Sequence, residues 1–130
     1  MQQFINRIDH LVLTVRNIEA TINFYHRVLG MEVITFGNDR KALRFGEQKI
    51  NLHEIGNEFE PKALHPTPGS ADICFISDEP VAQIKTHIIS CGVDIVEGSV
   101  VRTGATGTLE SIYLRDLDGN LIEISNYRNT

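Results

Sequence analysis

Four residues of metal-binding type, His10, His53, Asp72 and Glu123, each sit in a short stretch where apolar and polar residues alternate. Side chains of a strand point to opposite faces in turn, so each stretch splits into two sets. Leu11, Leu13 and Val15 form one face of the first stretch, and His10, Val12 and Thr14 the other. Ile50 and Leu52 likewise oppose Asn51 and His53, Ile73 and Phe75 oppose Asp72 and Cys74, and Ile122 and Ile124 oppose Glu123 and Ser125. A lone histidine on a strand is more often hydrogen-bonded than ligating, and a lone Asp or Glu there is more often a turn partner or solvated. Four such residues at matched places read differently. Buried together without partners, each carboxylate or imidazole would cost several kcal/mol, and a bound cation removes that cost. Two nitrogens, two oxygens and water suit a six-coordinate divalent Ni, Zn, Co or Mn ion.

The elements that must position these residues occur twice in the same order. Arg7 to Val15 reads as a strand, and Asn17 can cap a helix carrying Ile18, Ile22, Tyr25, Val28 and Leu29, with Gly30 as its stop. Strands follow at Met31–Phe36, Ala42–Phe45 and Lys49–Ile55, broken by turns at Gly37-Asn38-Asp39 and Gly46-Glu47. Residues 57–70, proline-rich with a Gly-Ser end, read as a linker. The order then restarts: a strand at Ala71–Ile76, a helix at Pro80–Cys91 stopped by Gly92, and strands at Asp94–Val101, Leu109–Arg115 and Leu121–Asn126. The expectation is one α+β domain over residues 1–130, two βαβββ modules in tandem (7–56 and 71–127) forming a curled mixed sheet around a cleft. Superposing the modules puts Asp9-His10-Leu11 on Ala71-Asp72-Ile73 and Leu52-His53-Glu54 on Ile122-Glu123-Ile124.

The totals exclude several classes. With 12 basic residues scattered along the chain and a net charge of −5, no stripe exists to track phosphates, so nucleic acid is not expected as a partner. No apolar run approaches the ~20 residues of a membrane span, and the first residues lack the pattern of a secretion signal. Cys74 and Cys91 have no CxxC spacing and read as thiols, which makes the cytoplasm the expected address. His26, His65 and His87 read as solvent-facing, and Lys41, Arg44 and Lys49 as solvated strand edges. Arg102 opens a glycine-bearing stretch, Arg102–Thr108, where an arginine could hold a substrate carboxylate.

Three further pieces carry a family resemblance: Ile8-Asp9-His10, then Phe24-Tyr25 with Leu29-Gly30-Met31, then Asp116-Leu117-Asp118-Gly119-Asn120 with Glu123. Together they make the chain resemble the vicinal oxygen chelate superfamily, which contains glyoxalase I, extradiol dioxygenases and fosfomycin-resistance enzymes. Lys49-Ile50-Asn51-Leu52-His53-Glu54 and Arg102-Thr103-Gly104-Ala105 look most like the glyoxalase domain-containing protein 5 group and bacterial virulence-associated relatives. The resemblance implies two βαβββ modules around a divalent metal, a small-molecule substrate, and commonly a homodimer that shares the site between chains. It places the ligands at His10, His53, Asp72 and Glu123. Glyoxalase I usually has Glu where this chain has His53, His where it has Asp72, and an arginine where it has Thr14. Leu117 replaces the usual proline of its turn. Asn57 matches a polar glutathione contact of that family, which makes a glutathione adduct a candidate substrate.

The first functional expectation is therefore a metal-dependent lyase or isomerase of glyoxalase type, like lactoylglutathione lyase. The metal would polarise a carbonyl, and Glu123, or Asp72 in its place, would take the proton from the neighbouring carbon. A second is an Fe(II) extradiol-type dioxygenase using His10, His53 and Glu123, although that family normally wants a second His at the Asp72 place. A third is a protein that sequesters a small molecule and performs no chemistry, for which a full ligand set is unnecessary.

Overall fold

A computed structural model describes residues Met1–Arg128, which divide into two compact units, Met1–Thr67 and a second from Pro68 onward. The first unit runs β1 (His10–Val15), α1 (Ile18–Leu29), β2 (Glu32–Phe36), β3 (Arg40–Phe45) and β4 (Gln48–Glu54). The second runs β5 (Asp72–Ile76), α2 (Val81–Ser90), β6 (Glu97–Thr103), β7 (Thr108–Arg115) and β8 (Leu121–Tyr127). Each unit holds a four-stranded mixed sheet, ordered β1-β4-β3-β2 in one and β5-β8-β7-β6 in the other. In both, the first strand lies parallel to the last and the remaining pairs are antiparallel. This is the expected tandem βαβββ architecture, and neither sheet closes on itself. No helix among the described residues is long and apolar enough to cross a membrane.

The helix faces bury what the alternation predicts. Phe24, Tyr25 and Val28 of α1 are buried, as are Leu13, Val15, Leu43, Ile50 and Leu52 of the sheet it packs on. Ile88 of α2 is buried with Ile112, Leu114 and Ile122. Each such side chain contributes on the order of 2 kcal/mol when removed from water. Asn17 starts α1 by accepting from Ala20 N at 2.9 Å, and Gly30 ends it at φ 70°, a left-handed conformation that glycine adopts without strain.

Several element ends shift from the sequence reading, two of them at candidate residues. β1 starts at His10, so Arg7 to Asp9 precede the ladder. Arg102 lies inside β6, not in a loop, because the β6–β7 ladder runs on to Thr103 opposite Thr108 and closes through Gly104 N to Gly107 O at 2.7 Å. His26 is exposed, as expected, and its Nδ1 also donates to Met31 O at 2.8 Å beyond the end of α1.

A parallel pair lacks a hairpin to set its register, so other bonds must do it. Gln48 Nε2 donates to Ile8 O at 2.7 Å at the entry of β1. In the second unit Asn120 Oδ1 accepts from Ala71 N at 2.9 Å, and Leu121 N donates to Ala71 O at 3.0 Å. Asn120 is itself held by Asp116, whose Oδ1 accepts from Asn120 N at 2.9 Å and from Asp118 N at 3.0 Å while Oδ2 accepts from Asn120 Nδ2 at 2.8 Å. Gly69 passes so near this turn that a Cβ there would lie 2.5 Å from Asp118 O. The Asp116–Asn120 motif is thus a buried clasp. At the far end Glu54 Oε1 accepts from Ile18 N at 3.1 Å and Asn126 Oδ1 from Val81 N at 2.8 Å, each tying a last strand to the start of its helix. Asn120→Ala removes two side-chain hydrogen bonds from a residue 1% exposed, leaving Ala71 N and Asp116 Oδ2 without them, and should cost about 2–4 kcal/mol. Urea unfolding would show this as a lower midpoint at unchanged slope; a cost below about 1 kcal/mol would mean the clasp is not what anchors β5.

Candidate functional site

The ladders decide which of the expected residues meet. His10 stands opposite Lys49 and Asp72 opposite Leu121. Two places further along, on the same face, the last strands present Asn51 in the first unit and Glu123 in the second. The helix-tying side chains agree, since Glu54 and Asn126 each follow those residues by three positions. Asn51, not His53, is therefore the counterpart of Glu123, and His53 matches Ser125. The superposition expected from sequence was displaced by two residues, a slip that keeps every side chain on its face.

His53 stands opposite Thr14, four ladder places from His10. That separation puts their Cα atoms roughly 14 Å apart on adjacent strands. Two imidazoles can bridge at most about 13 Å around one ion, and only if they point at each other rather than away from the sheet. His10 and His53 of one unit therefore do not share a metal. His10 with Asn51, and Asp72 with Glu123, lie about 8 Å apart at Cα, within reach of a common ion. Among the described residues, no three His, Cys, Asp or Glu side chains stand close enough to form a complete cage.

The half-site of the first unit has donors to offer. His10 Nδ1 bonds Asp9 Oδ2 at 2.8 Å, which leaves Nε2 with its lone pair, the usual support of a ligating histidine. That bond, ahead of a small opposing desolvation, holds the Asp9 carboxyl below its ordinary pKa. Asn51 is 6% exposed, and its Oδ1 is buried with no hydrogen-bond donor. In the second unit Asp72 is exposed, while Glu123 Oε2 accepts from Ser111 Oγ at 2.7 Å and Ser125 Oγ at 3.3 Å. Beside them Cys74 Sγ lies 3.3 Å from Ser125 Oγ, and burial pushes its thiol pKa up, away from thiolate chemistry.

Arg102 is committed within its sheet. Its Nε donates to Tyr113 Oη at 2.9 Å, Nη1 to Val101 O at 3.0 Å and Nη2 to Glu97 Oε1 at 3.3 Å. Tyr113 is the ladder partner of Glu123, so Arg102 reaches the reactive face through that phenol. Asn57 is exposed in the turn after β4, where its N–H donates to Glu54 O at 2.9 Å.

His53 belongs to a different assembly. It is 3% exposed, its Nε2 lies 3.4 Å from Arg40 Nη2, and its ring meets Phe59 edge-on at 5.5 Å. Arg40 is wedged over Phe59 at 4.4 Å and Phe36 at 5.1 Å, and its Nε is buried without a partner. Lys49, expected to be solvated, sets its ammonium 3.9 Å from the centre of the Phe36 ring. Residues 57–66 supply Phe59 and the outer wall of a cavity of about 330 Å³, lined by Pro61, Lys62 and Ala63 against Val12, Thr14 and His53 of the sheet. Sequence reasoning missed Asn51, Arg40 and this cavity. The signal for Asn51 lay in the strand ends, in the shared spacing from Glu54 and Asn126.

The family model described as Glyoxalase/Bleomycin resistance protein/Dioxygenase superfamily matches residues 7–124. Virulence protein STM3117 of Salmonella typhimurium is 61% identical over 127 residues, covering 98% of this chain and 88% of that protein. Its crystal structure matches at a TM-score of 0.95 over 97% of this chain and 100% of that one. Glyoxalase domain-containing protein RDO1 of Mycosarcoma maydis is 53% identical, covering 98% of this chain and 72% of that protein. A genomically encoded fosfomycin resistance protein, FosX, from Listeria monocytogenes, solved with Mn(II) and sulfate, shares the fold at a TM-score of 0.67 and 22% identity, over 97% of this chain and 94% of that one.

Burial first, and then the Arg40 cation, push the His53 pKa below its ordinary 6.5, with Lys62 adding to the effect and Glu58 and Glu60 opposing it. The unfolded chain then binds this proton at a higher pH than the folded one, so stability falls as pH drops below about 6.5. His53→Gln should flatten that part of the profile. Urea unfolding at pH 7.5 and 5.5 would show it, and an unchanged difference between the two pH values would mean His53 titrates alike folded and unfolded.

Proposed function

The chain belongs to the glyoxalase/bleomycin resistance protein/dioxygenase superfamily, and on that premise we propose that it is a metal-dependent lyase or isomerase acting on a small oxygenated molecule. The observation that carries the reading is the pair of matched half-sites, His10 with Asn51 and Asp72 with Glu123, each two ladder places apart on the face away from the helix. The donors suit a divalent ion. The first unit offers an imidazole nitrogen with a free lone pair beside an orphaned amide oxygen, and the second unit offers two carboxylates. With Asn51 in the place expected for His53, an oxygen donor replaces an imidazole, a harder choice that moves the preference among Ni, Zn, Co, Mn and Fe toward Mn. The Mn(II) of FosX is consistent with that choice.

Such an ion, when bound, supplies Lewis-acid polarisation of a substrate carbonyl. The chain's part is to move the proton. Glu123 is the base, its carboxylate aimed by the hydroxyls of Ser111 and Ser125. Tyr113, opposite Glu123 and bonded to Arg102, keeps its phenol protonated, since burial raises its pKa. It can therefore donate to a substrate oxygen. A glutathione adduct remains the candidate substrate for which Asn57 would be a contact. The distance between His10 and His53 counts against a dioxygenase built on that pair. The active form is taken as a homodimer; a monomer by light scattering at micromolar concentration that still binds metal stoichiometrically would overturn that part.

Metal titration and turnover of a 2-oxoaldehyde, with and without glutathione, test the reading on three variants. His10→Ala should lose metal and activity together. Glu123→Gln should retain metal while turnover falls ~10²-fold, the usual contribution of a general base. His53→Ala should keep its metal. Full activity in metal-loaded Glu123→Gln would remove the base, and metal lost with His53 would return that residue to the ligand set.

A further inference from the structure

The cavity beside His53 has no part in holding the ion, yet it is built from groups that are costly to leave idle. Thr14, His53 and Lys62 bring a hydroxyl, an imidazole and an ammonium to one space, and Val12, Pro61 and Ala63 give it apolar walls. His53 is nine-tenths buried and still lines that space. Behind it Arg40 is a cation set against two phenyl rings and His53, with no carboxylate among its contacts within the described residues. The acids nearby, Glu58 and Glu60, engage Lys62 at 4.0 and 3.0 Å. Glu60 is largely exposed, so a ligand carboxylate can take its place on Lys62 at little cost. A volume of about 330 Å³ is near the lower end for ligand pockets, which run from about 300 to 1,000 Å³.

We infer that this cavity is a substrate subsite for the carboxylate end of a small acid with a short apolar body, with Lys62, Thr14 and His53 contacting the carboxylate. The inference rests on the lyase reading only in taking this face of the sheet as the one the substrate meets. Arg40 is a positioning residue here. Wedged between Phe36 and Phe59, it holds the His53 ring in place and adds positive potential behind it.

The test follows the His53 ring resonance, assigned by its loss in His53→Gln, while lactate and the uncharged lactamide are titrated into the full-length protein at constant pH. Lactate should shift it saturably, and lactamide should bind about tenfold more weakly or less. Lys62→Gln should weaken lactate about tenfold. Ala63→Leu, which fills the cavity, should abolish the shift while circular dichroism and metal content stay unchanged. Equal binding of lactate and lactamide, or an unaltered Lys62→Gln, would overturn the carboxylate assignment. Retained binding in Ala63→Leu would overturn the location. Chelator-treated protein should respond to lactate as before. A response lost with the metal would put the anion on the ion and sink the subsite, whereas a response retained by protein that takes up no metal would leave the subsite standing and the lyase reading fallen.

Discussion

The parallel pairing of first and last strands is the constraint on which both units depend. An antiparallel pair inherits its register from the turn that joins it, but β1–β4 and β5–β8 are separated in sequence by a helix and two further strands. Their register has to be imposed from both ends. Gln48 on Ile8 and Asn120 on Ala71 set the entry, while Glu54 on Ile18 and Asn126 on Val81 set the exit. A slip of one place would turn His10 and Asp72 into the packed face and put Leu13 and Ile73 in water. The clasp around Asp116 thus governs where the chemistry sits without taking part in it.

The same scaffold carries different solutions to the same problem on its two sheets. Two ladder places beyond Glu123, the second unit sets Ser125 and Ser111 opposite each other, and the two hydroxyls bond at 2.6 Å and hold Glu123. At the matching place the first unit sets His53 beside Arg40, and the residue they flank is an amide. A hydroxyl accepts as well as donates, so Ser111 can give its proton to Glu123 while accepting from Ser125, and the second unit closes its network. Arginine can only donate, and with His53 taking one N–H its Nε is left buried and unpaired, as is the Asn51 oxygen. Unpaired buried polar atoms are rare enough that two on one sheet face mark it as adapted to something other than its own stability.

Much of this was legible in the sequence. The repeat, both helices with Asn17 and Gly30 at the ends of the first, and the sorting of each strand into two faces all follow from local periodicity and capping. What periodicity cannot see is a shift of two residues, because it returns every side chain to the same face. That is why His53 was matched with Glu123 while Asn51, two places earlier on the same face, went unused. Arg102 was misread for a related reason: glycines at 104 and 107 mark a turn, but only the ladder shows that it begins after Thr103. The proline-rich stretch read as a linker also supplies Phe59 and Lys62 to the first unit, a tertiary contact that composition does not encode.

The placement of His53 shows why residue type alone is a weak guide to chemistry. An imidazole ligates through an available lone pair, and what decides availability is the neighbour. At His10 the neighbour is a carboxylate that accepts from Nδ1 and leaves the Nε2 lone pair available. At His53 it is a guanidinium facing Nε2 in a buried setting, which opposes protonation and would equally repel a divalent cation. Phe36 and Phe59 keep that guanidinium in place through their ring faces, so it cannot turn aside without losing both contacts. The two histidines of this face are thereby separated in role by their partners: one is prepared to bind a cation, and the other is kept neutral beside a cavity that a cation has no reason to enter.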